Sequence, residues 1–179
     1  MANDMLDLYA RASEWTLTKV RGAVAQLDAS TPCDEWNTSE LMSHMLDSQQ
    51  YFLGVAQGLD VSPPPPVPAT HLSDEPIADF QQARAEVLGA FGVAGVVDTT
   101  GPTLGIAFTD MLLHGWDLAR ATAQDEAMPD GLAGAAYEMI HGRFTDEQRP
   151  GIFKPELVVG EHASPQEKLL AYTGRSSAR

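Results

Sequence analysis

Asp110, His114 and Asp117 stand at i, i+4 and i+7 in the run TDMLLHGWDLARATAQ, so a helix there puts all three on one face. Leu113 and Leu118 flank that line, and Ala107 and Ala121 extend it with small side chains that leave room for a ligand. A carboxylate and an imidazole one turn apart have Cβ atoms roughly 5–6 Å from each other, close enough to reach one metal ion. On an earlier helix the inward positions are Leu41, His44, Met45, Ser48, Phe52 and Val55, an apolar stripe interrupted by His44 and Ser48. With His44 facing them, Asp110 and His114 make a two-histidine, one-carboxylate set. Such a set leaves coordination positions open, as catalytic zinc and non-haem iron sites do. The same residues also suit a plainer arrangement, in which His44 is a hydrogen-bonded core histidine and Asp110–His114 is a helix-surface pair.

Other residues carry weaker signals. Cys33, in TPCDEW, reads either as a small buried hydrophobe or as a thiol near a helix start, where the dipole lowers its pKa. About two helical turns separate it from His44, on the order of 16 Å along the axis, which argues against shared coordination unless the chain folds back. Trp36 and Trp116 are expected as core or pocket walls, with Ser48 beside them. His141 closes a helix, where imidazolium suits the negative dipole end, and His71 and His162 fall in solvated loops. Arg120 and Arg143 are the local cations that an anionic substrate would need. No Gly-rich phosphate loop, CxxC pair or Ser-His-Asp order is present.

Helices must position these groups. Apolar periodicity predicts helices over about residues 4–28, from Asn37 to just before Gly58, 76–91, 102–123 and 131–141, and a last one from Ser164-Pro165 to before Gly174. In the first, Met5, Leu8, Ala12 and Trp15 form the stripe, continued by Val20, Val24 and Leu27. Asn37 with Glu40 three residues on is a capping box. The proline run VSPPPPVP, residues 61–68, is a stiff crossover, and Leu157-Val158-Val159 is one short β-like run. No repeat and no strand series appears, so the expected fold is all-α, a helical bundle with a long crossover and short C-terminal helices. At 179 residues one domain is expected, with its core at about 4–142 and a C-terminal extension over 143–179.

Composition narrows the function classes. The formal net charge is −14, which opposes phosphate backbones and anionic membranes, so neither nucleic acid nor a membrane surface is an expected partner. No apolar run approaches a membrane span, and the acidic N-terminus is unlike a signal peptide. A single cysteine makes no internal disulfide, which predicts a reduced, cytoplasmic chain.

Two stretches, TPCDEWNTSELMSHML (31–46) and TDMLLHGWDLARATAQ (109–124), resemble the DinB-like metal-binding superfamily. The likeness is to the actinobacterial branch related to the N-terminal domain of mycothiol-dependent maleylpyruvate isomerase. The ending FKPELVVGEHASPQEKLLAYTGR is similar to the close of short proteins in that branch. The resemblance implies a four-helix bundle with a divalent metal between helices, zinc or nickel first and iron as a further choice. Its ligand positions fall on His44, Asp110 and His114, with Asp110 where the isomerase has glutamate, and Asp117 as a carboxylate behind the ligands. It also implies mycothiol as a cosubstrate for S-transfer or isomerisation of a small electrophile, with a homodimer as a further expectation. The isomerase carries a further C-terminal domain, and no counterpart to it is expected in the short stretch after the bundle. The competing reading is a non-catalytic metal- or small-ligand-binding module.

Overall fold

The computed structural model describes residues 2–33, 35–144, 147, 149 and 152–178. Among these residues it is all-helical. The elements are α1 (Ala2–Ala23), α2 (Thr38–Ala56), α3 (Pro76–Phe91), α4 (Val96–Thr99), α5 (Thr103–Ala121), α6 (Leu132–Ile140) and α7 (Pro165–Tyr172). The chain divides into two compact units, residues 1–127 and 128–179. No helix among the described residues is long and apolar enough to cross a membrane.

In the first unit, α1 packs on α5 and α3, and α2 packs on the same two, which leaves α1 and α2 diagonal to each other. The interior is filled by Tyr9, Leu41, Met42, Met45, Leu104, Phe108, Leu112 and Leu118, all fully buried. The α1–α5 contact is the closest. A Cβ on Gly115 would lie 2.3 Å from Thr16 Oγ1, and that hydroxyl donates to the Met111 carbonyl at 2.9 Å. Glycine at 115 therefore lets the two backbones approach, and the cross-helix bond fixes the rotation of α5 beside His114.

The start of α2 follows its caps. Asn37 Oδ1 accepts from Glu40 N–H at 2.9 Å while Glu40 Oε2 accepts from Asn37 N–H at 2.8 Å, the reciprocal capping box. α1 ends at Ala23, short of the expected residue 28. There the helical ladder gives way to tight turns, in which Gln26 N–H donates to the Ala23 carbonyl and Ala29 N–H to the Gln26 carbonyl, and the carbonyls of Leu27 and Ala29 then accept from the N–H groups of Ser39 and Thr38. The buried stripe of α1 is also turned from the expected one: Tyr9, Ser13, Thr16 and Leu17 are inward, while Leu8 and Trp15 are partly exposed. The short α4, not anticipated from sequence, occupies part of the connection before α5.

The crossover from α2 to α3 is anchored along α2. Val61 lies against Gly54, where a Cβ would meet its Cγ1 at 2.6 Å. Ser39 Oγ donates to Thr70 Oγ1, Ser43 Oγ accepts from His71 N–H, and His71 Nε2 is 3.0 Å from Asp47 Oδ1. His71 is thus held to α2 rather than simply solvated.

In the second unit α6 packs on α7, whose Ser164–Glu167 pair forms another capping box. The rings of Tyr137, His141, Tyr172 and Phe153 gather there, with the Arg149 guanidinium 4.7 Å over Tyr172. Arg149 also donates to the carbonyls of Tyr172 and Lys154. Leu157-Val158-Val159 pairs with no strand among the described residues; Leu157 N–H donates to the Ala171 carbonyl and Val158 is fully exposed.

Candidate metal centre

The helix α5 carries His114 into the interior of the first unit with only 8% of the residue exposed. Both ring nitrogens meet carboxylates of its own helix. Nε2 lies 3.4 Å from Asp110 Oδ1, one turn earlier, and Nδ1 lies 3.0 Å from Asp117 Oδ2, three residues later. Asp117 is fully buried. From α2, the His44 ring meets the His114 ring edge-on, with centroids 5.1 Å apart. One ligand atom each from His44, Asp110 and His114 fall within 4.8 Å of one another. The indole of Trp36 lies against this pair, 4.9 Å from His44 and 6.5 Å from His114 between ring centroids.

The two histidines are held in opposite states. Burial pulls the His44 pKa down to about 4, helped by the neighbouring His114 charge and opposed by Asp110 and Asp47. His44 is therefore a neutral imidazole at ordinary pH, the form that ligates metals. Burial also works against a charged His114, but the Asp110 carboxylate and hydrogen bonds with Asp110, Asp117 and Cys33 outweigh it. Its pKa rises well above the usual histidine value.

Buried polar atoms usually find partners. His44 Nδ1 is buried and has no hydrogen-bond partner among the described residues, and Ser48 Oγ stands 3.5 Å from its Nε2, a long contact. An orphaned imidazole nitrogen beside a second histidine and a carboxylate fits a divalent cation. The donor set, two nitrogens and one oxygen, fits it too. Two further fully buried donors on the surrounding helices, Tyr9 Oη and Gln49 Nε2, also lack partners among the described residues.

Cys33 is the residue the sequence misplaced. The chain does fold back ahead of α2. Thr31 Oγ1 accepts from Cys33 N–H at 3.2 Å and donates to the Trp36 carbonyl at 2.9 Å, while Thr31 N–H and Trp36 O pair at 3.1 Å. Ser30 and Asn37 form an antiparallel bridge, and Glu35 takes a left-handed φ of 64°. The thiol thereby reaches Asp117 Oδ2 at 3.3 Å and lies 3.9 Å from His114 Nδ1. The axial estimate failed because it extended the helix direction through a segment that reverses. Thr31, with its side chain able to organise a tight turn, was the available signal.

Trp116 is placed elsewhere. Two residues beyond His114 is roughly 200° around a helix, and its buried indole lies under the Arg120 guanidinium at 4.8 Å. Arg120 in turn pairs with Glu126 at 2.9 Å, so this cation is already engaged. Arg143 and His141 belong to the second unit, where His141 sits among aromatic rings as the C-cap of α6.

The chain is 27% identical over 165 residues to two proteins of Mycobacterium tuberculosis. These are uncharacterized protein Rv0738 of strain ATCC 25618 / H37Rv and uncharacterized protein MT0763 of strain CDC 1551 / Oshkosh. Each match covers 84% of this chain and 86% of the relative. Neither a family model nor a solved structure matches the chain.

Proposed function

We propose that the four long helices form a DinB-like bundle that binds one divalent metal through His44, Asp110 and His114. We further propose that the protein acts on a small electrophile with a low-molecular-weight thiol, mycothiol, as cosubstrate. The observation that carries the metal reading is the convergence of one ligand atom each from His44, Asp110 and His114 within 4.8 Å of one another, on a histidine whose buried Nδ1 has no hydrogen-bond partner among the described residues. The resemblance of residues 31–46 and 109–124 to the isomerase-related branch supports the thiol.

Each side chain has a part in this reading. Asp117 holds the Nδ1–H of His114, so Nε2 is directed toward Asp110 and His44; a carboxylate behind a ligating histidine fixes its tautomer and raises its basicity. Burial keeps His44 neutral and available. Trp36 covers the two imidazoles on one side and limits water there. A bound divalent ion supplies a lowered thiol pKa and a fixed position for the thiolate facing the electrophile. Three protein ligands leave room for that external donor.

Metal analysis of protein purified without an affinity tag tests the site. His44→Ala is expected to lose most of the metal, while His71→Ala keeps it. Equal retention in both removes the assignment. Thiol-stimulated turnover of electrophiles by metal-loaded protein, abolished in His114→Ala, tests the chemistry. Turnover that ignores that substitution defeats it.

A further inference from the structure

The proposed site uses one edge of the His114 ring, and the opposite edge carries a different set of donors. Nδ1 is 3.0 Å from Asp117 Oδ2 and 3.9 Å from Cys33 Sγ, and that thiol is 3.3 Å from the same carboxylate oxygen. One ligand atom from each of the three lies within 4.8 Å of the others. With zinc–sulfur bonds of about 2.3 Å and zinc–nitrogen bonds of about 2.0–2.1 Å, a tetrahedral ion holds sulfur and nitrogen roughly 3.5 Å apart, and nitrogen and oxygen slightly closer. The three observed separations lie within about half an ångström of those edges, so small side-chain shifts complete the geometry. Asp117 is fully buried and Cys33 is half-buried on a turn held by Thr31, so the donors are already oriented.

We infer that Cys33, His114 Nδ1 and Asp117 form a second cation position, selective for thiophilic ions, that alternates with the His44–Asp110–His114 position. The alternation follows from the ring. Filling both edges at once requires an imidazolate, whereas filling either one requires the loss of a single ring proton. At the second position the Cys33 Sγ–H proton and the His114 Nδ1 proton pass to solvent as the metal–sulfur and metal–nitrogen bonds form, and no electrons change hands. Thiolate favours the softest cations, such as cadmium, whereas the imidazole–carboxylate set suits borderline first-row ions such as nickel. An ion moved to the second position takes Asp117 away from its support of His114, so thiophilic metals should displace the bound ion of the first site rather than add to it. This goes beyond the proposed function, sharing His114 with it but depending on neither His44 nor Asp110.

Cadmium(II) is the probe, followed by the near-ultraviolet thiolate-to-metal charge-transfer absorption of the full chain. The expected result is a band that saturates at equimolar cadmium in the wild type. It keeps its amplitude in His44→Gln and in Asp110→Asn, each checked for helicity by circular dichroism. Cys33→Ser should lose the band while still binding nickel(II) one-to-one. The absence of a band in the wild type overturns the inference. So does a band that collapses in either helical variant, because the sulfur would then belong to the His44 set. Nickel binding that is absent from both wild type and Cys33→Ser, with the cadmium band intact, sinks the proposed function and leaves the second position standing.

Discussion

A histidine lies in each of the two units, His114 in the first and His141 in the second, and their surroundings are opposites. His114 in the first unit is buried, and both of its nitrogens meet carboxylates of its own helix. His141 in the second is exposed and stacks at 4.7 Å on Tyr137 and 5.4 Å on Tyr172. The first environment spends core positions on polar groups that must be satisfied. The second uses the ring as one more apolar plate at the end of a helix. A polar line kept inside a packed unit is costly unless its partners are complete. The first unit thus keeps a connected set of polar groups in its interior, and the second uses its histidine for ring packing.

Removing the partner behind each ring separates the two environments most strongly. Asp117→Ala removes the carboxylate beside Nδ1 of the buried His114 and should cost about 3–5 kcal/mol, the usual penalty for breaking a buried charged pair. His141→Ala should cost less than about 1 kcal/mol, as surface changes do. Hydrogen exchange of α5 amides and of α6–α7 amides reads each unit separately. Similar losses in both units would erase the distinction.

Acid sharpens it further in the metal-free protein. His44 titrates near 6.5 when unfolded and at about 4 when folded, so between these values the unfolded chain binds more protons. Stability therefore falls as pH drops through that window, by up to roughly 3 kcal/mol. His114 has the opposite sign. Its raised pKa contributes stability that is complete below the unfolded value and lost as pH rises through the folded one. Urea unfolding of wild type and His44→Gln between pH 6.5 and 4 should show a flatter profile for the variant. Parallel profiles would remove burial of neutral His44 as the cause.

Mid-helix glycines give a third contrast. Gly115→Ala forces a Cβ into Thr16 and Trp15 and should cost about 1–3 kcal/mol. Gly134→Ala in α6 meets only Pro165 Cβ at 3.7 Å, an ordinary contact, and should stabilise by about 0.5–1 kcal/mol. Thermal denaturation of both variants checks the opposite signs.

The smallest effects concern the matched caps. Asn37→Ala and Ser164→Ala should each cost about 1 kcal/mol. Only the first also loosens the turn ahead of α2 that carries Cys33 and Trp36, so only the first should change the accessibility of the thiol to a labelling reagent. Bonds from Ser164, backbone first and hydroxyl second, hold Glu167 below the usual carboxylate range. That contribution to α7 is present above the unfolded pKa and disappears as pH falls through the folded one.

Much of this arrangement was legible in the residues. Caps and periodicity placed the starts of α2, α3 and α7 because those signals act within one helical turn. The convergence of His44, Asp110 and His114 was readable because a polar residue in an apolar stripe points where the stripe points. The end of α1 was not, since it depends on the tight turns after Ala23 that carry the chain back toward the start of α2. Nor was Cys33, whose position depends on the Thr31 hydrogen bonds and the left-handed Glu35, a local reversal with no periodic trace. Tyr9 was hidden for a different reason: helix periodicity gives the spacing of a stripe, but the packing partners choose its phase.

The proline run between α2 and α3 has a consequence for association between molecules. An extended, solvent-facing segment ordinarily offers a row of amide hydrogens that a strand from another chain can adopt. Residues 63–66 are all proline and have none to offer. The segment is stiff and outward-facing, yet it is a poor template for intermolecular strand pairing. A crossover of this composition can stay extended on the surface of a strongly acidic helical protein without becoming a nucleus for aggregation.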